Sequence, residues 1–339
     1  MHLHQAPPSQ LYLRSKALHQ PGGKVSGSFL SKSKGYLASR LPWVWAASTC
    51  GLALPVFAPL ATEPTLAWFA DLAIHWQWQY AAIGVLISVI YLEIQRSRLG
   101  AAMVFATAAM VALNFGPLSL GRIDQANGDQ SLVVASFNLN LDNHHAIGLE
   151  DWVKSGQPDV LVLFELTSHH AQLVERLQKS FPHTLIRPQD DQFGVAVLSK
   201  LPLEGAQIKK HLESTPFIEA RITAHGKPVM VRAIHPMPPI SAPDRATRDA
   251  LIKAVATRGD EPLVIAGDFN ASPWAPVMRQ LAAGGVKRAT TFEPTHTLYG
   301  GLPIDHILAS EADWAVAEAG VAGNFGSDHR LIWARLIAR

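Results

Sequence analysis

Cysteine is almost absent from this chain: Cys50 is the single one among 339 residues. One thiol excludes an internal disulfide and any zinc site built on cysteines. Two short motifs are also missing. The sequence contains neither the G-x-S-x-G motif of a serine nucleophile nor the G-K-[ST] motif of a nucleotide-binding loop. The sequence therefore indicates neither a serine nucleophile of the hydrolase type nor a P-loop for nucleotide phosphates.

Acidic residues are absent from the first 40 positions, which carry six basic ones. This segment is polar and has no period, so we predict that residues 1–40 form a disordered basic tail. From Ser131 to the C-terminus, 20 lysines and arginines stand against 22 aspartates and glutamates. A mildly acidic C-terminal part disfavours a long electrostatic track for duplex nucleic acid.

Charge is also absent from three long windows in residues 41–121. Each window reaches the roughly 20 residues that a helix needs to cross a hydrocarbon core. Three buried helices of a soluble bundle are the alternative, but successive charge-free windows are rare in soluble domains. The second window opens with aromatic residues typical of a membrane interface, so its span is expected from about Tyr80 to Leu92. The windows are Leu41–Thr62, Leu72–Leu92 and Leu99–Gly121.

The loops between these windows predict an orientation. The connection after the first window carries Glu63 and Asp71 and no basic residue, whereas the next carries Arg96 and Arg98. The positive-inside rule then places the N-terminus in the cytoplasm and everything after Gly121 outside. In a bacterium this predicts a multi-pass inner-membrane protein with its C-terminal domain in the periplasm, and the lipid bilayer as a partner.

From Ser131 onward, short β-rich runs alternate with polar helical segments, which predicts one α/β domain over residues 131–339. The predicted helices are Gly148–Lys154, Ser168–Lys179, Pro243–Thr257 and Pro276–Ala283. The predicted strands are Leu132–Phe137, Val160–Phe164, Gly194–Leu198, Phe217–Thr223, Pro228–Ile234, Leu263–Ala266, Ile304–Leu308 and Leu331–Leu336.

Chemically active side chains follow several of these strands. After the run 263–266, Gly267 would allow a close turn, and Asp268 and Asn270 would lie on the same side of an extended backbone. Each such strand end is by itself compatible with an ordinary turn or helix cap. Carboxylates gathered at one sheet edge, however, would repel one another unless a cation or a positive partner lies between them. The other strand ends carry Asn138, Glu165, His235, Asp305 and the pair Asp328–His329.

These residue types are those that phosphate ester hydrolysis needs. Glu165 is a hard oxygen ligand suited to Mg²⁺. His329 can take a proton from water if a carboxylate orients its second nitrogen, and Asp305 is the natural candidate. Asp268 and Asn270 can hold the nucleophile and a phosphoryl oxygen, and His235 can stabilise the growing charge.

The motifs resemble those of the endonuclease/exonuclease/phosphatase superfamily, which includes DNase I-like nucleases. The resemblance implies a four-layer α/β/β/α sandwich and a divalent cofactor, Mg²⁺ or Mn²⁺. It also implies that Asp328 joins Glu165 at the metal and that Asn138 joins Asn270 in substrate binding. The three predicted transmembrane helices precede this domain and lie outside the resemblance. Asn140 departs from the aspartate that nuclease members often carry there. The motifs are Ser136-Phe137-Asn138, Leu163-Phe164-Glu165, Ile234-His235-Pro236, Gly267-Asp268-Phe269-Asn270, Ile304-Asp305-His306-Ile307 and Ser327-Asp328-His329.

Three functions fit the sequence. The first is a metal-dependent phosphoesterase that hydrolyses a phosphorylated small molecule or, better, a lipid-linked phosphate, pyrophosphate or phosphodiester at the outer face of the membrane. The second is a membrane-anchored nuclease acting on external DNA or RNA, against which only the charge balance argues. The third is a non-catalytic membrane scaffold that retains the fold.

Overall fold

The N-terminal part is helical throughout the residues described. The computed structural model describes residues 25–116, 122–212, 214–298 and 301–339. The predicted disorder is wrong for residues 25–40, which belong to the first helix, and its remainder lies outside the described residues. Once the apolar segment is helical, extending the helix backwards costs little, and no proline interrupts it before Pro42. The four helices are α1 (Val25–Phe57), α2 (Pro64–Ile74), α3 (Gln77–Gln95) and α4 (Arg98–Phe115).

Three segments of these helices are long and apolar enough to cross a membrane, as the charge-free windows predict. They are Gly35–Leu60, Gln77–Gln95 and Arg98–Phe115. The second begins at Gln77, three residues before the predicted Tyr80. The structure adds α2, a short apolar helix that the sequence did not predict. The side chain of Glu63 caps it by accepting hydrogen bonds from the backbone of Thr65 and Leu66, at 3.0 and 2.7 Å.

The C-terminal part contains two six-stranded mixed sheets. In the first sheet the strand order is β11-β12-β1-β2-β4-β3, and in the second it is β5-β6-β7-β8-β10-β9. Each sheet has one parallel pair near its centre, β1 with β2 and β7 with β8. The strands are β1 (Ser131–Asn138), β2 (Val160–Phe164), β3 (His183–Arg187), β4 (Val195–Ser199), β5 (Glu204–Lys210), β6 (Pro216–Ala224), β7 (Lys227–Ile234), β8 (Leu263–Asp268), β9 (Val286–Arg288), β10 (Asp305–Ser310), β11 (Trp314–Val321) and β12 (Ile332–Ala338).

Alternating side chains divide the interior into three apolar layers, which gives the four-layer sandwich. In β8, Val264 faces the core between the sheets, whereas Ile265 faces the opposite side. The helices α5 (Leu149–Gly156) and α6 (Ala171–Gln178) cover the first sheet, and α7 (Ala242–Val255) and α8 (Pro276–Ala283) cover the second. The predicted fold class is therefore confirmed. The chain joins the sandwich before Ser131, because Ile123 is buried between the sheets.

The helical part docks directly onto the sandwich through α2. The guanidinium of Arg248 on α7 contacts both carboxylate oxygens of Asp71, Nη2 to Oδ1 at 2.9 Å and Nη1 to Oδ2 at 2.8 Å. Both side chains are fully buried. Burial alone would raise the pKa of Asp71, but His75 and the charge of Arg248 outweigh it and hold that pKa well below its ordinary value. Nearby, the indole Nε1 of Trp68 donates to the carbonyl of Pro239 at 2.8 Å.

Replacing Asp71 with asparagine should destabilise the protein by about 1–3 kcal/mol, because the buried Arg248 would lose one of its two carboxylate partners and keep only Asp249. The measurement is thermal unfolding of the detergent-solubilised protein. The matched control is Asp151→Asn, which breaks an exposed pair with Lys154 and should change stability by less than about 1 kcal/mol.

The pH dependence of this difference follows from the lowered pKa of Asp71. A carboxyl with a depressed folded pKa stabilises the protein above its unfolded pKa of about 3.9 and loses that contribution as pH falls further. The gap between wild type and Asp71→Asn should thus be constant from pH 5 to 8 and shrink below about pH 4. Equal melting temperatures at pH 7 would contradict the role assigned to this pair.

Candidate active site at the sheet edge

The parallel strands bring the predicted site residues to one edge of the sandwich. Asn138 is the last residue of β1, and Glu165 follows β2 directly. In the facing sheet, His235 follows β7 and Asp268 ends β8. The neighbouring strand β10 begins at Asp305, whose register partner is Asp268. Asp328 and His329 lie in the turn before β12.

Gly267 makes this convergence sterically feasible, though not in the way its sequence context suggests. It lies within β8 and pairs with Ile234, and is not part of a turn. A Cβ atom there would lie 1.9 Å from the carbonyl oxygen of Ile234 and 3.1 Å from the ring of Phe164. Glycine is therefore required for the close approach of backbone to backbone beneath the site.

Two site residues have a left-handed backbone conformation, which directs them into the cavity. Glu165 has a φ of 53° and Asn270 a φ of 48°, so the chain bends immediately after β2 and β8. The extended backbone expected between Asp268 and Asn270 is thus wrong, although both side chains still face the same cavity. Such positive φ values are uncommon outside glycine and are held by the surrounding structure. Asn270 is held by its side-chain Nδ2, which donates to the carbonyl of Pro236 at 3.0 Å.

Asp268 is the central group of the site. Its Oδ2 accepts a hydrogen bond from Asn138 at 3.3 Å and lies 3.5 Å from Nε2 of His235 and 3.6 Å from Nε2 of His329. Its Oδ1 accepts from the backbone of Asn270 at 2.9 Å. Burial would raise the pKa of Asp268, but the two histidines and these hydrogen bonds outweigh it and lower that pKa. Asp268 therefore stays ionised.

His329 lies between two carboxylates. Its Nδ1 is 2.9 Å from Oδ2 of Asp305, which fixes the ring so that Nε2 faces Asp268 and the cavity. Burial would lower the pKa of His329, but the charges of Asp305 and Asp268 outweigh it and raise that pKa to about 10. Burial raises the pKa of Asp305. The geometry is that of a histidine oriented by a carboxylate for proton transfer.

Glu165 and Asp328 are the two predicted metal ligands, and both line the cavity. Glu165 accepts hydrogen bonds from Asn138 Nδ2 at 2.9 Å and from the backbone of Leu141 at 3.1 Å, which orients its carboxylate. Asp328 accepts from Asn140 Nδ2 at 2.7 Å. Contacts with His296 and Asn140 lower the pKa of Asp328 well below its ordinary value.

This donor set fits a hard divalent cation. Mg²⁺ takes oxygen ligands, keeps several waters and needs only one or two protein carboxylates. Among the residues described, the groups of three or more close ligand atoms are His296, Asp328 and His329, and Asp268, Asp305 and His329. Glu165 belongs to neither group, so a cation held by Glu165 and Asp328 would complete its shell with water.

A cavity of roughly 500 Å³ collects these side chains. Six of the eight predicted site residues line it, while Asn138 and Asp305 lie behind them. The amide of Asn138 donates to Glu165 and Asp268, and its part in substrate binding stays a prediction. The cavity is lined by Leu72, His75, Trp76, Glu165, Gln192, His235, Pro238, Pro239, Asp268, Asn270, His296, Leu298, Leu302, Ile304, Asp328 and His329.

Several lining residues were missed from the sequence. His296 packs edge-on against the ring of His329, at 4.5 Å between centroids, and its Nε2 lies 3.4 Å from Asp328. No predicted strand or motif precedes it, so no sequence pattern pointed to it. His75 and Trp76 belong to a stretch whose sequence predicted a membrane interface and did not indicate an active site. His75 also contacts the site loop, since its Nδ1 lies 2.8 Å from the hydroxyl of Ser272.

Solved structures with the same fold share little sequence with this chain. An endonuclease/exonuclease/phosphatase from Beutenbergia cavernae is 20% identical with a TM-score of 0.51, over 62% of this chain and 72% of its own. A humanized D. rerio TDP2 is 17% identical with a TM-score of 0.52, over 62% and 100%. The human nocturnin catalytic domain with bound sulfate is 16% identical with a TM-score of 0.51, over 64% and 98%. No curated protein matches the chain.

A match to a protein-family model relates this chain to known proteins more strongly than the solved structures do. The model of the endonuclease/exonuclease/phosphatase family matches residues 135–329, more than half of the chain. That span contains all eight predicted site residues, from Asn138 to His329. The resemblance drawn from the motifs is confirmed, and the chain belongs to the endonuclease/exonuclease/phosphatase family.

Proposed function

We propose that this protein is a divalent-metal-dependent phosphoesterase that hydrolyses a lipid-linked phosphate, pyrophosphate or phosphodiester at the membrane surface. Its family consists of hydrolases that act on phosphoester bonds. The observation that supports a lipid-linked substrate is a cavity shared by the helical region and the sandwich. The cavity that contains Asp268 and His329 is also lined by Leu72, His75 and Trp76. These three residues lie between the candidate membrane-spanning helices α1 and α3.

The ends of the apolar helices support a site at the membrane surface. The indole of Trp78, at the start of α3, donates to the carbonyl of Phe292 at 2.9 Å. The indole of Trp274 donates to the carbonyl of Asn114, near the end of α4, at 3.0 Å. Arg279 donates to the carbonyl of Pro55, near the end of α1. The sandwich thus contacts the same end of all three apolar helices, which the loop charges assign to the periplasmic side of the inner membrane.

The residues divide the chemistry among them. Glu165 and Asp328 would hold Mg²⁺ or Mn²⁺, which when bound supplies positive charge to the phosphate oxygens. His329, oriented by Asp305, would take the proton of the attacking water in its neutral form, which a cation bound beside these carboxylates would favour by lowering the raised pKa of His329. Asp268 and Asn270 position water and phosphate beside it.

His235 completes the site from the opposite side. Its Nδ1 donates to the carbonyl of Gln192 at 2.9 Å, which turns Nε2 towards Asp268 and the cavity. When both ring nitrogens carry a proton, Nε2 is also a donor and can stabilise the charge that grows on the phosphoryl oxygens.

The nuclease alternative uses the same groups but finds less support around them. No lysine or arginine is among the described residues that line the cavity. Nucleic-acid binding depends on neutralising phosphates with such side chains. A scaffold without activity would not require two histidines and four carboxylates at one edge, since burying charged groups is costly even when they are paired.

A panel of phosphate esters should separate these functions. Purified protein with Mg²⁺ should release phosphate or headgroup from at least one lipid substrate in a panel of polyprenyl pyrophosphate, sphingomyelin and a long-chain alkyl phosphate. It should leave plasmid DNA intact. A chelator should abolish the release, and so should His329→Ala. Cleavage of plasmid alone would establish the nuclease. Full activity in His329→Ala would contradict the assigned site.

The Asp305→Asn substitution tests the orientation of His329. Removing the charge that fixes Nδ1 should lower kcat about 10²–10⁴-fold, by analogy with the contribution of a positioned general base, with little change in KM. The readout is hydrolysis of bis-p-nitrophenyl phosphate, which needs no lipid. Asp313→Asn is the matched control, because Asp313 pairs with Arg258 outside the cavity and should leave kcat within twofold. Retention of more than a tenth of the activity in Asp305→Asn would contradict this role.

A further inference from the structure

The cavity is lined by two chemically different sets of side chains. The polar set contains the carboxylates and histidines of the site. The apolar side chains come from two distant parts of the sequence, one in the helical region and one in the loop before β10. We refer to this surface as the apolar wall. It consists of Leu72, Trp76, Leu298, Leu302 and Ile304.

We propose that the apolar wall is a binding site for the hydrocarbon chain of the substrate, next to the ester that Asp268 and His329 would bind. This inference rests on the phosphoesterase function proposed above and adds where the chain lies. A concave site with mostly apolar walls and a few convergent polar groups is typical of small-molecule binding. Here the polar groups select a phosphate, and the wall selects what is attached to it.

The surroundings of the cavity identify the occupant as a membrane lipid. Large apolar side chains remain exposed on α2, the helix that contributes Leu72 to the cavity, including Leu66 and Phe69. Ile240 is exposed as well, and it follows Pro239, which is hydrogen-bonded to Trp68 of α2. Exposed apolar side chains around a cavity are typical of contact with a membrane. Because α2 joins two candidate membrane-spanning helices, a lipid chain could pass from the bilayer to the wall without crossing water.

A nucleotide is a poorer occupant of the same wall. A base could stack on the indole of Trp76, but such binding sites also carry positive charge along the phosphate backbone. The described residues that line the cavity include no lysine or arginine. An alkyl or prenyl chain needs no such charge, since burying it against Leu72 and Leu298 is favourable by itself.

A thiol-protection experiment tests the wall without measuring activity. In a Cys50→Ser background, Leu298→Cys leaves one thiol on the wall, at a position that is 42% exposed. The protein is held in amphipol with Mg²⁺, and the rate of labelling by N-ethylmaleimide is measured. Three probes are compared: dodecyl phosphate, ethyl phosphate and dodecanol. Ile147→Cys, at an exposed position outside the cavity, is the matched control.

We expect dodecyl phosphate to slow labelling of Leu298→Cys at least fivefold, and ethyl phosphate and dodecanol to slow it less than twofold. Labelling of Ile147→Cys should not respond to any probe. Equal protection by ethyl phosphate would show that the head alone covers position 298 and would overturn the proposal. So would the absence of protection by dodecyl phosphate.

A kinetic comparison then connects the wall to turnover. Leu72→Ser should lower kcat/KM about tenfold for a long-chain phosphate ester and less than twofold for bis-p-nitrophenyl phosphate, because only the long chain reaches the wall. Ile147→Ser should change neither value. An equal loss on both substrates would overturn the proposal, since Leu72 would then support the site itself. If the wild type cleaved nothing while dodecyl phosphate still protected Leu298→Cys, the proposed function would fail and the binding site would stand.

Discussion

The buried ion pair between Asp71 and Arg248 connects the two halves of this molecule. Each charge would be costly to bury alone, and the pair is acceptable because the guanidinium contacts both oxygens of Asp71, pairs with Asp249 as well and makes further hydrogen bonds. One of these comes from Nη1 of Arg248 to the backbone carbonyl of Asn270, at 2.8 Å. One turn later in the sequence, His75 contacts Ser272. The loop that presents Asp268 and Asn270 is thus held from below by its strand and from the side by the helical region.

The site itself is organised by the same balance of burial and charge. Asp268 and Asp305 are both buried, and they face each other as register partners on neighbouring strands. Two such carboxylates would repel each other strongly at low dielectric, and His329 between them supplies the compensating charge. This requirement explains why the histidine follows a turn and not a strand. The turn before β12 can bring His329 to the ends of β8 and β10 in the other sheet, whereas a strand residue is bound to its own ladder.

The sequence predicts what is locally encoded and misses what depends on position in the fold. The eight predicted strands correspond to the interior strands, whose residues are buried and therefore strongly apolar. The four that were missed, β3, β5, β9 and β11, are the edges of the two sheets. An edge strand such as β5 is exposed along most of its length, so its residues follow no apolar pattern. For the same reason Asp268 could be recognised from a buried strand with its motif, whereas His296 could not.

The missed residues of the helical region show why domain-by-domain reasoning has a limit here. Trp76 lies among aromatic residues that suit a membrane interface, and that explanation is complete without an active site. Trp76 also lines the cavity of the candidate site. It does so only because α2 folds back onto the sandwich and brings Leu72, His75 and Trp76 to the edge of β8. A helix that served only as an anchor would need apolar length and nothing more. A buried aspartate on such a helix, paired with an arginine beneath the site loop, is instead a constraint on where the candidate site lies relative to the apolar helices.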